Sequence, residues 1–139
     1  MSKIKSIRKH RSVEEIDFDI NCLNELKEID SDYVKVILEL FIKNTPEVLE
    51  KLQKACEDKD WDGLYRTAHF IKSSLAVIKV EKMYHLASEL ELNAKFDQEE
   101  KSAHKKVNLL IVLFEKLKTK ILVEIEKLTV NNVQNISWA

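Results

Sequence analysis

The sequence predicts an all-α protein: an antiparallel, up-down four-helix bundle with a short extra N-terminal helix. Three observations carry this. The 139 residues include one Gly and one Pro, too few for a sheet protein, whose turns depend on such residues. Glu, Lys, Leu and Ile dominate, and apolar residues recur every three or four positions, the period of an amphipathic helix. Finally, the breaks between these stretches are short, which makes consecutive helices antiparallel neighbours around one core.

The elements follow in order. Residues 1–16 form a basic arm, with Lys3, Lys5, Arg8, Lys9 and Arg11. The bundle is expected over 17–130, opening with an acidic stretch and a short helix around Leu23 to Ile29. Asp30-Ser31-Asp32 supplies N-cap chemistry for the first long helix, with a seam of Tyr33, Ile37, Leu40, Phe41, Val48, Leu52 and Ala55. Pro46 should bend this helix without ending it, since the apolar period resumes on the same face. Asp58-Lys59-Asp60 makes a turn, and Asp60 caps the second helix, whose seam is Leu64, Ala68, Ile71, Leu75 and Ile78. A break at Lys79-Val80 leads to a third helix on Met83, Leu86, Ala87, Leu90 and Ala94. Phe96-Asp97-Gln98 is the next turn, with Asp97 as cap. The last helix keeps Val107, Leu110, Phe114, Leu117, Ile121, Ile125 and Leu128 on one side over about 30 residues, roughly 45 Å. Residues 131–139 read as a loop-like tail.

Composition excludes whole classes of function. With a single Gly no glycine-rich loop can cradle nucleotide phosphates, so the chain is no kinase on its own. A net charge of −1 with 34% charged residues gives no pull toward nucleic acid or membrane. Cys22 and Cys56 have neither metal-type nor redox-type spacing and read as free thiols. Met1-Ser2-Lys3-Ile4-Lys5 leads into no apolar segment, and the longest apolar run, Leu109 to Phe114, is far below the roughly 20 residues that span a bilayer. A monomeric cytoplasmic protein is expected. No metal site is expected either. His85 lies between Glu81 and Glu89 at four-residue steps, but bundle metal sites draw ligands from several helices and use Glu-x-x-His pairs, absent here. His104 sits among cations, and His10 belongs to the arm.

His69 is different. It lies one residue off the seam of the second helix, about 100° around the axis, and so at the exposed edge of the packed face. Tyr65, Lys72, Ser73 and Ala76 share its stripe. An exposed imidazole with a cation one turn on and small residues beside it suits the exchange of a negatively charged group, phosphoryl above all. Imidazole is largely neutral near pH 7, which leaves a ring nitrogen free to attack phosphorus.

The run Ala68-His69-Phe70-Ile71-Lys72-Ser73-Ser74, followed by Ile78-Lys79 and Leu86-Ala87-Ser88-Glu89-Leu90-Glu91, closely resembles the histidine-containing phosphotransfer (HPt) domain of multistep phosphorelays. Upstream, Phe41-Ile42-Lys43-Asn44-Thr45-Pro46-Glu47-Val48-Leu49 and Lys59-Asp60-Trp61 resemble its preceding helix and acidic turn. The likeness covers roughly residues 18 to 128. Ser73 stands where the family usually has Gly, and Lys79 replaces a loop Gly.

The resemblance implies a phosphocarrier, not an enzyme. His69 would accept phosphoryl from a receiver-domain phospho-aspartate and pass it to another receiver, with a hybrid sensor histidine kinase upstream. Lys72 would offset phosphoryl charge as a mobile cation, and Tyr65, Phe70, Ser73 and Ala76 would meet the receiver. With no cluster of carboxylates expected around His69, the chain would have no cofactor of its own, and Mg²⁺ would come with the receiver. Because of Lys79, a helical adaptor or degenerate module that binds a receiver or kinase without transfer stays open as an alternative.

Overall fold

A computed structural model of the chain describes residue 28 and residues 30–137, with side chains through residue 130. The basic arm and, save for Glu28, the short helix expected at Leu23 to Ile29 lie outside the described residues, as does Cys22. All regular structure among the described residues is helical. Helix α1 spans Ser31–Glu57, α2 Trp61–Val77 and α3 Glu81–Leu92; a π-helical turn covers Asn93–Asp97, and α4 runs Glu100–Ser137. Each helix packs on its neighbours in sequence, and α4 returns to pack on α1, which closes the bundle.

The starts of α1 and α2 are set by carboxylates. Asp30 accepts from the Tyr33 amide and Asp60 from the Gly63 amide, each at 3.0 Å, satisfying donors that have no partner inside the helix. The only glycine of the chain serves the second cap: a Cβ at Gly63 would run into the Asp60 carboxylate. It is there for space, not for backbone freedom.

Helix ends are closed without glycine. Lys59 (φ 55°), Lys79 (φ 58°) and Gln98 (φ 48°) occupy the left-handed region. At the first two, the next amide reaches back five residues, Asp60 to the Ala55 carbonyl at 2.8 Å and Val80 to that of Leu75 at 3.1 Å. This closes α1 and α2 with the hydrogen bonding of a Schellman motif. A residue with a Cβ gives up about 1–2 kcal/mol in that conformation, and the motif tolerates the cost because it satisfies carbonyls that would otherwise be orphaned.

The α2 seam is as expected: Leu64, Ala68, Ile71, Leu75 and Ile78 are all buried. So are the α4 positions Val107, Leu110, Phe114, Leu117, Ile121 and Leu128, with Ile125 partly buried. Phe114 meets Phe41 of α1 with ring centroids 5.9 Å apart. Each fully buried Leu, Ile or Phe contributes on the order of 1.5–3 kcal/mol.

As expected, Pro46 lies inside the first long helix without ending it. Three expectations need correction. The α1 seam is turned: Val34, Leu38, Phe41, Leu49 and Leu52 are buried, whereas Tyr33 and Leu40 are 54% and 50% exposed. Helix α1 carries two adjacent apolar stripes, and its spacing alone does not say which one faces α4. Asp97 is not the cap of α4; Glu99 is, its carboxylate accepting from the Ser102 amide at 2.7 Å, because the π-helical turn pushes the helix start onward. Residues 131–137 are not loop but continue α4, which has 38 residues.

Lys79 yields a stability prediction. Glycine at this position removes the Cβ strain but adds freedom to the unfolded chain, worth about 0.4–1 kcal/mol in the other direction. Lys79→Gly is therefore expected to stabilise the fold by about 0.5–1 kcal/mol, read as a higher urea midpoint at unchanged slope. A lower midpoint would show that the lysine is not strained.

Candidate functional site

His69 lies midway along α2 and its side chain is 67% exposed. One edge of the ring is nevertheless fixed. Its Nδ1 lies 2.6 Å from Oε2 of Glu91, near the end of α3, and Oε1 of the same carboxylate accepts from Lys72 Nζ at 2.7 Å. Glu91 is buried, and the Lys72 side chain is only 20% exposed. A single carboxylate thus holds both the imidazole and the cation one turn further along α2.

The helix frame explains this placement. His69 and Lys72 share one edge of α2, and Glu91 follows Met83 and Ala87 at four-residue steps along the face that α3 turns toward α2. A carboxylate in a core register is costly unless paired. Burial pushes Glu91 upward, but the hydrogen bonds from Lys72 and His69 outweigh it and hold the carboxyl below its ordinary range. Lys72 is raised, chiefly by its hydrogen bond to Glu91. An ionised carboxylate only accepts, so the neutral imidazole carries its proton on Nδ1, and Nε2 keeps a free lone pair on the exposed ring.

Tyr65 covers one side of the site. Its ring stacks on His69 with centroids 6.2 Å apart and 15° between planes. Lys72 Nζ lies 5.2 Å from the Tyr84 ring centroid. Lys95, in the π-helical turn, stands 5.8 Å from the Tyr65 ring centroid and 5.6 Å from that of Phe96.

The residues expected around His69 therefore fall into three groups. Ser73 and Ala76 are exposed along its stripe, and Tyr65 touches it directly. Lys72 is present but is not a mobile cation; it is tied to Glu91. Phe70, 60% exposed, turns toward α1, where it lines an apolar groove with Ile37, Leu40, Phe41, Val48 and Val77. Sequence reasoning gave no role to Glu91, the lone carboxylate in these contacts. Its signal was an acid in the apolar register of α3.

Other reactive groups lie elsewhere. Cys56 is buried and free; burial, then Glu57 and Glu100, push its thiol up to about 11, which leaves it unreactive as a nucleophile. His85 is exposed and meets Tyr84 edge-on with centroids 6.1 Å apart. Among the described residues no three His, Cys, Asp or Glu side chains gather as a metal site, and no helix is long and apolar enough to cross a membrane.

The Hpt domain model matches residues 36–121, well over half of the chain. No curated protein and no solved structure matches.

The shared carboxylate makes stability depend on pH in a defined direction. A depressed Glu91 contributes stability above the ordinary carboxylate range and loses it as pH falls through its folded value. A raised Lys72 contributes below 10.5 and loses its contribution as pH climbs through its own folded value. Glu91→Gln is expected to cost about 1–3 kcal/mol at pH 7, with the difference from the natural protein shrinking in acid. Urea unfolding from pH 3 to 7 checks it; a difference independent of pH would contradict the ionised pairing.

Proposed function

The chain belongs to the Hpt domain family, whose members are phosphocarrier modules of phosphorelays, and we propose that His69 is its phosphoacceptor. The observation that carries this reading is the exposed imidazole fixed through Nδ1 by buried Glu91. In the proposed step the Nε2 lone pair forms an N–P bond to the phosphoryl of a receiver's aspartyl phosphate. The acyl O–P bond breaks, and the aspartate carboxylate leaves with its electron pair. The ring becomes cationic, and its Nδ1–H faces the Glu91 carboxylate, which stabilises the charge. Onward transfer runs the same exchange with a second receiver's aspartate as acceptor.

Glu91 thereby acts as a positioning residue, selecting the tautomer and holding the ring, and Lys72 fixes Glu91. Transfer through a loose transition state depends on positioning and electrostatics more than on covalent assistance. Both Glu91 oxygens are engaged by His69 and Lys72, so this donor set has no room for a divalent cation; Mg²⁺ is assigned to the receiver. The receiver docks over Tyr65, Ser73 and Ala76, with Phe70 at the margin. An upstream hybrid kinase, an antiparallel up-down bundle, a monomeric state and a cytoplasmic location complete the reading. Turns of three residues from α1 to α2 and from α2 to α3, between helices that pack side by side, support the up-down order. The adaptor alternative drew on Lys79, but that residue takes the left-handed conformation a glycine would take, so nothing in the turn favours it.

Three outcomes test this. His69→Gln is expected to abolish labelling from a phosphorylated receiver while circular dichroism stays helical, because an exposed side chain contributes little to stability. Natural protein with ATP and Mg²⁺ alone should acquire no phosphate; stoichiometric labelling would overturn the carrier reading. Ser73→Gln should slow transfer on the order of a hundredfold by holding the reacting atoms apart, whereas Ser73→Gly transfers at least as fast as Ser; quench-flow measures both.

A further inference from the structure

A phosphoryl group on His69 brings two negative charges to a site whose fixed charges cancel. Lys72 is neutralised by Glu91 at 2.7 Å. Arg66, one turn before His69, is bound to Asp62. Lys95 is a further cation at this edge: it is exposed, has no carboxylate partner among the described residues, and shares the Tyr65 ring with His69, at 5.8 Å from the ring centroid.

Its position is built by the backbone. The Gln98 amide bonds the Asn93 carbonyl five residues back at 2.6 Å, the wide spacing of a π-helical turn. Asn93 is buried, and its side chain accepts from the Glu99 amide at 3.1 Å. The turn packs on α2 as well as α3. A π-helical turn rotates the residues beyond it relative to an unbroken α-helix, and here it carries Lys95 to Tyr65, at the edge of the His69 site.

We propose that Lys95 is the phosphoryl-binding cation of this protein, leaving the Tyr65 face to engage the phosphoryl oxygens once His69 is modified. The inference rests on His69 being the phosphoacceptor. It gives Lys95 a specific effect. When the N–P bond of phosphohistidine breaks through a loose transition state, the electron pair stays with the ring and negative charge leaves the phosphoryl oxygens. A cation at those oxygens therefore stabilises the resting phosphohistidine more than the exit transition state, and lengthens its lifetime.

The test uses the full chain phosphorylated chemically with phosphoramidate. Here Nε2 forms the N–P bond, the donor P–N bond breaks and the amine leaves as ammonia, so no receiver is required. Intact-mass measurement then follows phosphohistidine decay in the natural protein, Lys95→Gln and Lys95→Arg. Lys95→Gln is expected to shorten the half-life about fivefold, the factor for one exposed ion pair near the upper end of its range. Lys95→Arg should restore it to within about twofold. Added salt should shorten the natural half-life toward that of Lys95→Gln and leave the variant unchanged. Equal half-lives for the natural protein and Lys95→Gln would overturn the role of Lys95 while leaving His69 as acceptor. Failure of the natural protein to take phosphate on His69 would overturn both.

Discussion

The site depends on one buried carboxylate with two claims on it. Glu91 cannot remain ionised in the α2–α3 interface without donors, and His69 and Lys72 are the donors that α2 supplies at the right spacing. The relation runs both ways. The acid keeps the imidazole oriented, and the imidazole and ammonium make the acid tolerable. A surface histidine on an isolated helix has no such constraint, because neither its rotamer nor its tautomer is chosen by anything nearby.

The rest of the fold serves to keep α2 and α3 in register. The α2 seam buries five apolar residues beside His69, so the imidazole stands on a rod whose rotation is fixed by packing. Carboxylate caps set where α1 and α2 begin, and strained lysines set where they end. A sheet protein would spend glycines on such turns; this chain places ordinary residues in the left-handed region and relies on helix packing to hold them there.

Much of this was legible in the sequence. The all-helical class, the α2 seam, the Asp30 and Asp60 caps and the exposure of His69 follow from period and capping chemistry. What was misread has identifiable causes. In α1, Tyr33, Ile37 and Leu40 form a stripe beside Val34, Leu38 and Phe41, and period alone does not rank two neighbouring stripes; contact with α4 does. The cap of α4 moved from Asp97 to Glu99 because a π-helical turn has no compositional mark and adds to the path before the helix starts. Glu91 was visible as an acid in an apolar register, but its partners sit 19 and 22 residues earlier. Such a pairing belongs to tertiary structure, and local spacing does not reveal it.

The tautomer lock has a consequence beyond chemistry at the ring. Which nitrogen of His69 keeps its lone pair is decided on another helix, at Glu91, close to where α3 gives way to the π-helical turn. That choice is a property of two elements held together, and a peptide carrying α2 alone would not make it. The imidazole is therefore also a gauge: its proton distribution reports whether α3 is seated, so nitrogen chemical shifts of one side chain would register loosening of the bundle before helix content changes.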